Sequence, residues 1–161
     1  MLATLTFVHV LISLVAIVTG FVVVYGMVTG RKMNGWTATF LSTTVATSVT
    51  GFFFPFERFL PSHAVGILSL IVLAAAIAAR YRYHLLGGAR AIYVICSVVA
   101  LYFNVFVLVA QLFQKVPFLK AYAPTQSEPP FLGSQLAVLM LFLAIGFMAN
   151  SRFRNAIPRT A

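Results

Sequence analysis

The side chains in this sequence that could carry chemistry are few: His9, His63, Asn104, Thr47 and Arg58, each within or beside a long apolar run. Two neutral imidazoles on neighbouring helices could hold a haem b iron through its axial positions, with Arg58 beside a propionate. A quinone or lipid could instead take hydrogen bonds from His9 and Asn104. A metal ion would need Glu57 as a carboxylate beside His9 and His63; its loop has no predictable direction, so no metal site is assigned. The plain alternative is that His9 bonds Thr47 or Asn104 across helices, because polar groups in hydrocarbon need partners. His84, among Arg80, Arg82 and Arg90, reads as a solvated loop residue.

Other chemistries are excluded by composition. There is no Asp, and Glu occurs only at positions 57 and 128. Mechanisms that need paired carboxylates, such as glycoside hydrolysis or a two-metal centre, are therefore out of reach. Cys96 is the single cysteine, so neither a disulfide framework nor a cysteine zinc site can form. Gly87-Gly88 lacks the spacing and the Lys-Ser/Thr ending of a phosphate loop and reads as a turn. The net charge of +9 is scattered over short loops, a pattern that suits anionic lipid head groups and not nucleic acid. No catalytic residue is assigned, and the balance is against an enzyme.

Elements able to position these residues must be membrane helices. Hydrophobic residues make up 61% of the 161 and charged ones 8%, with mean hydropathy +1.01; a soluble domain has about 45–50% apolar residues. Crossing about 30 Å of hydrocarbon takes about 20 apolar residues. Five stretches qualify: Leu2–Val28, Trp36–Phe54, His63–Ala79, Ala91–Phe113 and Phe131–Ala149. The first has no basic region ahead of it and is too long for a signal peptide. The expected fold is an all-α bundle of five transmembrane helices in a single domain over 1–161. With the N-terminus outside and the C-terminus inside, inner segments carry eight basic residues and outer ones three, Arg58, Lys115 and Lys120, the bias that sets topology.

Small and polar residues mark the faces that pack. They recur as Thr6, His9, Ser13, Ala16, Gly20; as Thr39, Thr43, Thr47, Thr50; as His63, Gly66, Leu70, Ala74, Ala78; and as Ser97, Ala100, Asn104, Gln111. At about 1.5 Å per residue the polar members of four helices converge in the outer half, with His9 about 10 Å below the outer boundary and His63 at it. Phe52–Phe54, Phe56 and Phe59 suit an outer aromatic belt, and Trp36, Tyr81 and Tyr83 an inner one. The outer loop 114–130, with Pro117, Pro124, Pro129 and Pro130, reads as a stiff connector that could also meet a protein partner. Gly26-x-x-x-Gly30 and Ala75-x-x-x-Ala79 could pack within the bundle or between copies of a homo-oligomer. No charged residue lies within a span, which argues against a secondary transporter.

The strings Val-Thr-Gly-Phe-Phe-Phe-Pro (49–55), Phe-Leu-Pro-Ser-His-Ala-Val-Gly (59–66) and Ala-Pro-Thr-Gln-Ser-Glu-Pro-Pro-Phe (123–131) resemble a group of small multi-pass bacterial inner-membrane proteins with no assigned activity. That resemblance implies a plasma-membrane address and a multi-span helical fold. A looser likeness runs to helical membrane proteins with a His near the outer end of their first span; Gly35-Trp36 stands where those have a second histidine. The expectation is a structural or accessory membrane subunit, with a haem- or quinone-binding electron carrier using the outer pocket as the competing reading.

Overall fold

The computed structural model describes residues 2–55 and 61–156. It is all-helical among them: α1 (Leu2–Val28), α2 (Asn34–Gly51), α3 (Pro61–Ile77) continuing into a π-helical turn (Ala78–Arg82), α4 (Ala89–Lys115), α5 (Pro117–Tyr122) and α6 (Pro129–Ala156). The breaks come from residue chemistry. Three helices, α3, α5 and α6, open on proline, whose missing N–H costs nothing in the first turn. After α1 the chain reverses at Gly30, which adopts φ 71°, and Arg31 N–H closes back onto the Gly26 carbonyl at 2.7 Å. After the π-helical turn, His84 and Leu85 both take left-handed backbone, φ 51° and 62°, at a cost of about 1–2 kcal/mol each. Burial of Leu85 in the core and its N–H bond to the Ala79 carbonyl at 3.0 Å offset that cost.

Four of these helices are long and apolar enough to cross a membrane: Leu2–Val28, His63–Arg82, Ala89–Lys115 and Pro129–Phe153. The second expected span is a helix too, but begins at Asn34 and ends at Gly51, and eight of its 18 residues carry hydroxyls. That polarity sets α2 apart from the other four.

Long helices run alternately up and down. α2 packs between α1 and α3, and α4 touches α1, α3 and α6, so α1 and α4 form the centre. At one end lie the start of α1, the end of α2 and the start of α3; at the other, the end of α1, the start of α2 and the end of α6. Leu2 and Ala156 thus sit at opposite ends. The core is Met27, Phe40, Leu73, Tyr93, Val94, Leu101 and Phe153, with Ala16, Ala76 and Ala100 allowing close approach. Large apolar side chains also face outward, Phe7, Val18, Ile71, Leu136 and Phe147 among them, as expected where the surroundings are hydrocarbon.

The expected packing faces are only partly the observed ones. Ala16 and Gly20 are buried on α1, but the buried stripe of α2 is Thr37, Phe40, Leu41, Thr44 and Ser48. Thr39 points outward and bonds the Gly35 carbonyl, as Thr43 bonds that of Thr39. On α3 the stripe is His63, Ser69, Leu73 and Ala76 with Ala74 exposed, and on α4 Gln111 is exposed. Hydroxyls that satisfy themselves on their own helix lose the pull toward a neighbour, so large residues such as Phe40 decide the rotation. The stiff connector at 114–130 holds a short helix, α5, and a hydrogen-bonded turn.

Gly20 fixes the tightest approach. A Cβ there would lie 2.6 Å from Leu101 Cδ1 and 2.8 Å from Phe40 Cε2, and both neighbours are fully buried. Gly20→Ala is expected to cost about 1–3 kcal/mol by overpacking, seen as a lower thermal midpoint in detergent. Gly133→Ala, with nothing within 4 Å, should leave the midpoint unchanged or raise it.

Candidate functional site

The polar side chains of the bundle converge on α2. Five hydrogen bonds tie it to its neighbours: Arg80 Nη2 to Asn34 Oδ1 at 2.7 Å, Thr37 Oγ1 with Tyr93 Oη at 3.2 Å, Asn104 Nδ2 to Thr44 Oγ1 at 3.3 Å, Ser48 Oγ to Ser69 Oγ at 3.1 Å, and His9 Nδ1 with Thr50 Oγ1 at 2.8 Å. They climb the helix from its first residue to its last turn and reach α1, α3 with its π-helical turn, and α4. The four between neutral side chains are worth about 0.6 kcal/mol each on average between membrane helices; the Arg80–Asn34 bond is exposed at the end of the bundle.

At the upper rung the chemistry is specific. The Thr50 hydroxyl has one proton and two near neighbours, the Ala46 carbonyl at 2.7 Å and His9 Nδ1 at 2.8 Å. The second contact occupies Nδ1 of His9 and leaves Nε2 as the ring nitrogen it does not use. The ring meets Phe54 edge-on, centroids 5.2 Å apart. His63, 6% exposed, stacks on Phe52 at 5.8 Å and 26°. The two histidines thus pack on one short segment, Thr50–Phe54, one through Thr50 and Phe54 and the other through Phe52.

The remaining expected residues lie elsewhere. His9 does not bond Thr47 or Asn104; its partner is Thr50, three residues further along. Asn104 bonds Thr44 in the middle of the bundle. Thr47 Oγ1 is buried with no hydrogen-bond partner among the described residues, and Arg58 lies outside them, as does Glu57. No group of three or more His, Cys, Asp or Glu able to hold a metal ion occurs among the described residues. Sequence reasoning misses Asn34, Thr37, Thr44, Ser48, Ser69 and Tyr93. The seven-residue spacing of Thr37 and Thr44, two helical turns, is the available signal.

At the same end, Gln126 reaches back to the Ala110 carbonyl at 2.7 Å, and the Glu128 carboxylate gathers the Thr125 hydroxyl and the N–H groups of Thr125 and Ser127. Slight desolvation opposes ionisation of Glu128, but those hydrogen bonds outweigh it and hold the carboxyl below its ordinary value. Because the folded value is depressed, the turn keeps its bonds at any pH above the range where a free glutamate protonates and loses them as pH falls through the lower one.

Compared with protein-family models, curated proteins and solved structures, the chain matches none of them.

The His9–Thr50 bond can be weighed by a double-mutant cycle in mixed micelles. Thr50→Val and His9→Phe are each expected to destabilise by about 1 kcal/mol. Together they should cost less than the sum by about 0.6 kcal/mol; strict additivity would show that the bond contributes nothing.

Proposed function

We propose that this chain is a five-helix integral membrane protein that serves as a structural or accessory subunit, with α2 as the helix that meets its partner. The observation that carries this reading is the polarity of α2. Most of its inner hydroxyls are used in holding the bundle, and its outer face offers Gly35, Ala38, Thr39 and Ser42 beside Trp36 and Val49, where the other helices present mainly Leu, Val and Phe. Such a face gains little from lipid and lets another helix approach closely. Basic residues support an orientation: Arg31, Lys32, Arg80, Arg82, Arg90 and Arg152 belong to one end, Lys115 and Lys120 to the other. By the positive-inside bias the first end is cytoplasmic and the chain N-out, C-in, in a plasma membrane of bacterial type.

A photo-crosslinking residue at Ser42 is expected to give a discrete adduct, with a partner protein or with a second copy, in cells expressing the protein at native level. The same probe at Leu139, on the apolar face of α6, should label lipid only. Equal labelling from both positions would remove α2 as a contact surface.

One observation favours a second reading, an electron carrier with a haem b iron held by His9 and His63. His9 and His63 pack on the same segment, Thr50–Phe54, with His9 Nε2 as the nitrogen an axial ligand would use, and a bound iron would supply a one-electron couple. Protein made with ample haem should then show a redox-sensitive Soret band in mild detergent, lost in both His9→Ala and His63→Ala. A featureless spectrum would retire the carrier and leave His9 as a hydrogen-bonding residue.

A further inference from the structure

The end of the bundle away from His9 holds a second concentration of polar groups. A groove of about 500 Å³ opens there between the start of α2 and the π-helical turn, lined by Lys32, Asn34, Arg80, Tyr81 and His84. Its volume lies within the range of small-molecule sites, about 300–1,000 Å³. Arg80 is the fixed element. Its guanidinium donates to Asn34 Oδ1 at 2.7 Å and lies over the rings of Tyr93 and Tyr81, 5.1 and 5.7 Å from their centroids. An amide oxygen and two aromatic faces orient this cation without neutralising it, and no carboxylate of the described residues lines the groove. The described carboxylate, Glu128, is engaged in its own turn at the opposite end.

The backbone is bent to make this arrangement. The π-helical turn carries Arg80, and the left-handed backbone just after it carries His84 to the same groove. π-Helical turns gather at functional sites, and so do left-handed non-glycine residues. A pre-oriented guanidinium with spare donors, an ammonium and an imidazole around one concavity match a phosphate group.

We propose that this groove binds the phosphate of an anionic glycerophospholipid head group. The phosphate-binding part stands on the groove alone. The lipid source rests on the membrane reading above, since it needs the groove to open at the bilayer surface with Tyr81 at head-group level.

The test uses the full chain in mild detergent, titrated with phosphatidylglycerol, phosphatidylcholine or inorganic phosphate, with retained lipid read by native mass spectrometry and binding by shift of the thermal midpoint. Phosphatidylglycerol is expected to be retained as one saturable copy and phosphatidylcholine not. Lys32→Gln, exposed and with little to do in the fold, should weaken retention about fivefold, the factor for one basic contact, and Arg80→Gln at least as much. Arg152→Gln, an exposed basic residue of the same end outside the groove, should leave it unchanged. Saturable inorganic phosphate binding that Lys32→Gln weakens and that displaces the lipid would support the site, and phosphate binding without lipid retention would support it with a soluble source. Retention of both lipids alike, or an equal loss in Arg152→Gln, would overturn it. Release of the protein from membranes by alkaline carbonate would sink the membrane reading and leave the inorganic phosphate result to stand or fall separately.

Discussion

A hydroxyl or amide inside an apolar bundle must find a partner there, because no water is at hand to supply one. In this protein the requirement falls mostly on α2, and the bundle is arranged around it. Its outer threonines and serines turn back to their own helix, while Thr37, Thr44, Ser48 and Thr50 reach α1, α3 and α4. Such bonds are directional, so they fix the height of each helix relative to α2 as well as its proximity. Apolar packing alone, between Leu and Val surfaces that resemble the lipid outside, would define that register poorly. Satisfied polar contacts of this kind specify one arrangement among many; Thr47 is the exception on α2, its buried hydroxyl without a partner among the described residues.

How much of this can be read from the sequence divides by length scale. The four strongly apolar helices are legible, since runs such as Leu2–Val28 without one charged residue admit few other readings. Their rotation is harder. The stripe Thr39, Thr43, Thr47, Thr50 is a true helical face, yet it straddles the boundary between the buried and the exposed sides of α2. Threonine can satisfy itself on its own helix, so it says little about which way a helix turns. Phe40, with no exposed surface, is the better guide, because a large ring must be accommodated somewhere. The pattern of polar residues puts His9 among hydroxyl partners, but its bond goes to Thr50, one turn from Thr47. Choosing between them depends on where α2 stops, and helix ends are the least determined feature of a sequence.

The two ends of the bundle are built by different means. At the His9 end aromatic rings dominate, beside the hydrogen-bonded Glu128 turn: Phe54 on His9, Phe52 on His63, Phe131 against Phe113 at 5.4 Å. Three prolines open helices there and stiffen the connections. At the other end cations are held by amide and π faces, and Gly30 and Gly87 provide left-handed turns. One end is therefore largely apolar and closed by rings, and the other is an electropositive rim.

The π-helical turn at Ala78–Arg82 has a further meaning for relatives of this chain. A π turn holds one residue more than the α turn it replaces, so it is, in effect, a single-residue insertion accommodated without breaking the helix. Deleting one residue from that segment would restore ordinary winding and swing the helix before it by about 100° relative to the chain beyond. Ser69 and Leu73 would turn from α2 and the core, or Arg80 would leave Tyr93; the helix could not keep both. Any chain of this architecture one residue shorter at that place must therefore have lost one of these contacts or found it again with different side chains. The length of a single helix, more than its composition, records which of the two ends has been kept.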